Sequence, residues 1–540
     1  MELVNQRVKK IMEGCKERAR DAGLRFDKES LEYIVTNRDL IELTPKLMIP
    51  TLYDYWVHDV EVLKEKGRYE LYPYNPYETV INTRPAISFY NDNNPDWMNV
   101  MIFYHVIAHI DFFQNNIYFR NTWDYDFAGQ ALADKRLIAR LRSEKGRWVD
   151  YVIEFARGID NVVAYAGQLA KYDRPETPPS VVDYYFDIYL QSVRGVSTGD
   201  YLKELDRYNS CAAAFGENAD QVFFTEVHAK YPEFKTCLSR QTGRKACDNG
   251  DLLQFLLDHS EFLRKPENVW MKSVLELVRN TSLFFQPQIR TKIMNEGWAS
   301  FWHERLFLSD DRIVGHETDF ARAHALIAAL PRIGINPYAL GMRLFRYIEE
   351  LGDAGKHSLD FMKLDLEHDR KKFDVHAKKG KELIFEVRRN LSDYFFIDYF
   401  TDQDFVNRHD LFVTGKRMNR DRMVWEYYIK SRKAGDYREM LQESLYHPPH
   451  IKVDKSKTTG SVLYLVHAFE GKPLVNEYIS NTMIGIEFLW GGTVFLETNE
   501  AVPVSSSIRH RTSENGDPPQ VKWRRMLYTM KDRKLIKKEL

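Results

Sequence analysis

The sequence predicts a mainly helical large domain carrying a short β element, followed by a small α/β (α+β) C-terminal domain. Three observations predict it. Helical apolar spacing runs, with loops, from about Trp97 to about Leu445; a proline-punctuated stretch rich in Tyr, Thr, Val and Ile precedes it; a strand, helix, strand pattern follows a polar break. At 540 residues the chain is too long for one small core, so we expect a core domain over 1–445, a linker over 446–460 and a satellite over 461–540.

The elements follow in order. From the N-terminus to about Lys64 the pattern is helical and charged on one side, with "LTPKLMIPTLYDYW" as a proline-broken connection. "MELVNQRVKKIMEGCKERARDAG" mixes charges into an amphipathic helix and has no apolar run, so it does not read as a secretory signal. "YELYPYNPYETVINTRPAISFYNDNNPDW" then supplies one or two short strands near Tyr77 to Tyr90, closed by the turn "NDNNPD". In the helical region beyond, "KLDLEHDRKKFDVHAKKGKE" reads as a solvated helix and turn. "SLYHPPHIKVDKSKTTG" breaks the pattern with two prolines and a polar run. After it come the strand "SVLYLVHAF", a helix with Ile479, Met483, Ile486 and Leu489 at helical spacing, the strand "GGTVFLET", and a basic tail able to add another strand.

Composition narrows the function. The 77 basic residues nearly cancel 78 acidic ones, so no global field points to nucleic acid, and none is expected as a partner. The four cysteines form no CxxC pair, which argues against a disulfide framework or a cysteine zinc site and for reduced thiols in a cytoplasm. No run approaches the roughly 18 apolar residues that a membrane span needs, so we expect a cytoplasmic protein with no membrane span.

The chemistry concentrates in two segments. In "HVIAHIDFFQNN", His105, His109, Phe112 and Asn116 fall in one narrow sector of a helix whose remaining circumference is apolar. A buried histidine needs partners for both ring nitrogens, and two imidazoles at i and i+4 can face one ion, as in the HExxH helix of zinc proteases. Val106 stands where that motif carries its general-base glutamate. In "QPQIRTKIMNEGWASFWHERLF", Met294, Trp298, Phe301 and Trp302 make a core stripe, while Glu296 and His303 share another face with small Ala299 and Ser300 between them. The two segments combine into a candidate metal site of His105, His109, Glu296 and His303. Asp111, Asn116 and Asn295 are expected behind the ligands or facing substrate. A divalent metal ion is the expected cofactor, zinc first, with manganese or iron(II) also compatible. Glu296 reads equally as a ligand or as the catalytic base acting on a bound water. A third stretch, "GINPYALGMRLFRYIEE", has a turn, Pro337 at a helix start, Gly341 suited to close packing, and Asn336 and Tyr338 within reach of a cleft.

Together with "YETVINTRPAISFY", the words "HVIAHIDFFQNN", "IMNEGWASFWH" and "GINPYALG" resemble the signature segments of the SpoVR family, the stage V sporulation protein R-like proteins of bacteria and archaea. The resemblance runs in order from about Leu47 to about Glu350, and more weakly through "LYLVHAFEGKPL" and "LWGGTVFLET". It implies a role in sporulation or in stationary-phase and stress physiology. It also implies a cytoplasmic setting shared with a PrkA-type serine kinase and a von Willebrand A-like protein. It implies no particular reaction. The expectation is therefore a metal-dependent, zincin-like hydrolase of amide or peptide bonds, the alternative being a non-enzymatic regulatory scaffold linking those two partners.

Overall fold

A helix that is apolar over most of its circumference cannot leave those faces in water, and this chain buries such a helix. In the computed structural model, which describes residues 2–3, 6–36, 79–123, 126–163, 180–242, 251–419, 422–503 and 521–540, every residue from Met101 to Phe113 of the helix Asp96–Asn115 is buried. Residues 37–78, where part of the sequence reading falls, lie outside the described residues.

The chain forms two units. One comprises Met1–Tyr165, Gly250–Phe345 and Arg388–Leu540; the other comprises Ala166–Asn249 and Arg346–Val387. The segments read from sequence as linker and satellite, 446–460 and 461–540, are part of the first unit.

In the first unit we name the helices α1 (Gln6–Asp21), α2 (Asp96–Asn115), α3 (Trp148–Arg157), α4 (Val269–Arg290), α5 (Lys292–Leu308), α6 (Glu317–Ile327), α7 (Pro337–Ala354, in this unit as far as Phe345), α8 (Asp393–Phe400) and α9 (Asn476–Trp490). Among the described residues three sheets accompany them. β1 (Glu2–Leu3), β2 (Ser30–Val35), β3 (Thr79–Ile81) and β4 (Ala86–Asn91) are ordered β1-β2-β4-β3, with β2 and β4 parallel. β5 (Val413–Asn419) and β6 (Val424–Ser431) make an antiparallel ribbon. β7 (Ile451–Val453), β8 (Val462–His467), β9 (Thr493–Pro503), β10 (Val521–Lys531) and β11 (Lys534–Glu539) form a five-stranded sheet ordered β11-β10-β9-β8-β7. Only β8 and β9 in that sheet are parallel, and a parallel pair needs a crossover; α9 supplies it.

The fold class is the expected one: mainly helical, with a short β element before α2 and an α/β arrangement near the C-terminus. Three strand regions differ from the sequence reading: β1 with β2, the β5–β6 ribbon, and β7, which falls in the expected linker. β2 lies where helix was expected, since six residues paired between β1 and β4 take their conformation from neighbours rather than from local period. The β5–β6 ribbon lies inside the expected helical run; Trp425, Tyr427 and Ile429 alternate along it but all stay exposed, so burial never marks the period-2 pattern.

Near the site, local rules set the helix ends and long-range contacts set their positions. α2 stops at Asn116, whose backbone is extended and whose side-chain oxygen accepts the Tyr118 N–H at 3.0 Å to start a tight 3₁₀ turn. α5 begins without a local cap; instead the N–H groups of Ile293 and Met294 donate to the Asp393 carboxylate, each at 2.9 Å. α2 and α5 run antiparallel, as the pairs Tyr104–Asp310, His105–His303 and His109–Asn295 require. Gly341 of α7 meets Gly297 of α5 backbone to backbone, and a Cβ on either would overlap the other helix.

The second unit is held by aromatics. Tyr185, Tyr189, Phe223 and Phe234 are fully buried, and Tyr185 meets Phe234 edge-on at 5.4 Å between ring centroids. Among the described residues no helix is long and apolar enough to cross a membrane.

Candidate metal centre

His105 and His109 stand one turn apart on α2, with ring centroids 4.6 Å apart and planes at 77°. Both rings are buried, and both present Nε2 to one carboxylate oxygen of α5. Glu296 Oε2 lies 3.5 Å from His109 Nε2 and 3.9 Å from His105 Nε2. That oxygen is itself shielded from solvent and accepts no hydrogen bond among the described residues. The three groups each offer a donor atom, all within 4.8 Å of one another. Donors about 2.1 Å from a tetrahedral ion stand roughly 3.4 Å apart, so these separations suit a single small cation. The cluster could hold a metal ion; its donor set, two imidazoles and a carboxylate, does not select which.

The outer nitrogens explain how the rings are held. His109 Nδ1 lies 2.9 Å from the side-chain oxygen of Asn295, which can only accept, so the ring proton sits on Nδ1 and the Nε2 lone pair faces Glu296. His105 Nδ1 lies 2.7 Å from His303 Nδ1. A proton on His105 Nδ1 leaves its Nε2 lone pair toward the cluster and makes His303 Nδ1 the acceptor. His303 Nε2 then donates to His324 Nδ1 at 2.9 Å, and His324 Nε2 points toward Glu304 at 3.8 Å. Burial, reinforced by the charge of Arg343, holds the His324 pKa below the usual histidine range, in keeping with a neutral acceptor.

The sequence-predicted residues therefore separate into two groups. His105, His109 and Glu296 converge, with Asn295 directly behind His109. His303 meets His105 on the face turned away from Glu296, so it braces the imidazole. Asp111 and Asn116 have other partners. Asp111 accepts from the Arg25 N–H at 2.7 Å and from the Trp298 indole N–H at 2.9 Å, with Arg388 Nε at 3.4 Å. Asn116 donates to the carbonyls of Arg388 and Leu391 at 2.7 and 3.0 Å. Asn336 caps α7: its amide nitrogen donates to the Ile327 and Ala329 carbonyls and its oxygen accepts from the Tyr338 N–H. The Tyr338 ring stacks near His105, 6.0 Å between centroids.

Sequence reasoning missed His324, Glu304 and Asp393. No spacing signal marks them: His324 sits in a short helix with no second histidine at i±4, and Asp393 reads as an ordinary first-turn acid. Burial pushes the Asp393 carboxyl up to about 7; the N–H groups of Ile293 and Met294 oppose this and the charge of Glu296 adds to it. A cavity of about 400 Å³ lined by Met101, His105, His303, Ile335 and Tyr338, among others, opens onto the His105 side of the cluster.

Fold and site together define a mainly helical protein with a cluster of two buried histidines and one half-buried glutamate. Comparison with known families gives it a place: a family model described as SpoVR like protein matches residues 2–447, and the chain belongs to the SpoVR family. It is similar to a protein of Escherichia coli (strain K12) named "Uncharacterized protein YcgB", 24% identical over 387 residues. The match covers 68% of this chain and 66% of that relative. No solved structure matches the chain.

Proposed function

We propose that the chain is a metal-dependent hydrolase acting on amide or peptide bonds. The observation that supports the metal most directly is Glu296 Oε2, buried without a hydrogen-bond partner among the described residues and facing Nε2 of two histidines. Leaving such an oxygen uncompensated is costly, and a cation removes the cost. His105, His109 and Glu296 would hold one divalent ion, zinc first, with manganese or iron(II) accepted by the same donors. Such an ion supplies Lewis acidity toward a carbonyl and activates water near neutral pH.

The chain's own residues do the rest. Asn295 and His303 orient the two imidazoles through Nδ1; the Asn295 oxygen fixes the His109 tautomer that ligation requires, and His303 Nδ1 accepts when His105 carries its proton on Nδ1. Three protein donors leave a coordination position for water or substrate, the arrangement of catalytic rather than closed structural sites. The cavity beside His105 and His303 would admit the substrate. With Glu296 counted as a ligand, the choice of amide or peptide bonds rests on the two-histidine helix, a zincin-like feature in which Val106 replaces the usual glutamate. The setting we propose is cytoplasmic, in sporulation or stationary-phase stress physiology.

Metal analysis of untagged protein by mass spectrometry tests the reading. We expect one equivalent of a transition metal per chain, lost in His109→Ala and in Glu296→Gln. Wild-type protein that takes up none of zinc, manganese or iron(II) supplied in excess would overturn it.

The chain His105–His303–His324 favours one other reading, a non-enzymatic scaffold joining a PrkA-type kinase to a von Willebrand A-like partner. In it the linked imidazoles are a satisfied polar network that sets helix register. Urea unfolding with and without chelator separates the two, because a scaffold of this kind keeps its stability in chelator.

A further inference from the structure

The strand β8 alternates, and its inward positions are Leu463, Leu465 and His467. A histidine thus occupies the third place in a row where an aliphatic side chain would be the ordinary choice. It is buried, its Nδ1 is bonded to the Thr498 hydroxyl at 2.9 Å, and its Nε2 has no hydrogen-bond partner among the described residues. The residue lines a cavity of about 520 Å³, within the range of small-molecule sites and sharing no lining residue with the His/Glu cluster.

The rest of the lining is strongly two-sided. Leu252, Leu465, Ile479, Met483, Ile486 and Leu496 make an aliphatic floor from β8, α9, β9 and the start of the helix Leu252–His259. The rim carries His447, His450, Glu470 and Lys472. Its one acid is engaged, since His447 Nε2 lies 2.9 Å from Glu470 Oε2. Lys472 is exposed and has no ion-pair partner among the described residues. Tyr478 and Val475, 66% and 58% exposed, extend the apolar surface to the mouth. Most of this lining lies beyond residue 447, where the match to the family model ends.

We propose that this cavity binds a small amphiphilic monocarboxylate, its apolar body on the aliphatic floor and its carboxylate met by Lys472 and His467. The charge of the rim selects the head group. A cationic head would meet the Lys472 ammonium while Glu470, the one acid of the rim, is already bonded by His447, and a neutral head would leave the ammonium unused. Burial lowers the His467 pKa from the usual histidine range against the opposing charge of Glu470, so the imidazole contributes a directional hydrogen bond while Lys472 contributes the charge.

Isothermal titration calorimetry on the full chain tests this, with sodium decanoate below its micelle-forming concentration and decanol and decylamine as head-group controls. We expect decanoate to bind at least about tenfold tighter than decanol, and decylamine to bind weakest. Lys472→Ala should weaken decanoate about tenfold and leave decanol unchanged. Ile479→Trp, which fills the floor, should remove binding of both; where that variant does not fold by circular dichroism, Thr482→Trp in the same lining serves. No heat from decanoate, equal affinity for decanoate and decanol, or undiminished decanoate binding in the folded tryptophan variant would each overturn the proposal.

Discussion

Asp393 offers the sharpest quantitative test, because one buried carboxyl both caps α5 and sits near Glu296. Its two oxygens accept the N–H groups of Ile293 and Met294, and burial raises its pKa from an ordinary 3.8 to about 7. A carboxyl raised on folding keeps its proton longer in the native chain than in the unfolded one. Its contribution to stability is therefore complete below about pH 4 and disappears as pH rises through about 7. From that shift, the loss between about pH 5 and about pH 8 is roughly 2–3 kcal/mol. The perturbation is Asp393→Asn, whose amide oxygen still accepts one N–H but does not titrate, so a fixed penalty replaces a pH-dependent one. Urea unfolding of chelator-treated wild type and variant, followed by tryptophan fluorescence from about pH 5 to about pH 8, gives the difference directly. Taking the difference removes other titrations, including the opposite trend of His324, whose depressed pKa costs stability as pH falls below the usual histidine range. Parallel pH profiles for the two proteins would refute the reasoning.

Other outcomes follow from the same geometry. Gly341→Ala places a methyl group against the Gly297 backbone and should cost about 1–3 kcal/mol, read from the urea midpoint; an unchanged midpoint would mean the helices are not in contact there. Arg388→Met strands the fully buried Asp111 carboxyl and should cost about 3–5 kcal/mol, with much of it recovered in the double variant Asp111→Asn/Arg388→Met. Asn295→Ala removes the partner of His109 Nδ1 and, on the metal reading, should lower zinc affinity about 10- to 100-fold in a chelator competition while leaving the far-ultraviolet circular dichroism unchanged.

Local sequence determined the parts of this protein that depend on period. A helix apolar over most of its circumference and carrying histidines at i and i+4 has to be buried with both rings on one edge, and α2 is so built. The Met294, Trp298, Phe301 and Trp302 stripe had to be core, and Glu296 had to lie off it. The family words needed no coordinates to be read; the four between Tyr77 and Gly341 fall within the matched region, and the two weaker ones, "LYLVHAFEGKPL" and "LWGGTVFLET", lie beyond it.

Only the tertiary structure decided which groups meet. Glu296 and His303 share a helix face, but seven residues of helix rise roughly 10.5 Å, too far for both to reach one ion. The His105 ring lies between them, Nε2 toward Glu296 and Nδ1 against His303, so one histidine becomes an orienting partner of another. Asp111 shares a helix with both histidines, yet Arg25, Trp298 and Arg388 claim its oxygens. Asp393, about a hundred residues from the segment it caps, supplies the start of α5 that the local sequence lacks. Period fixes the direction of a side chain relative to its own helix; what stands in that direction comes from distant parts of the chain, brought there by the burial of surfaces that have no local partner.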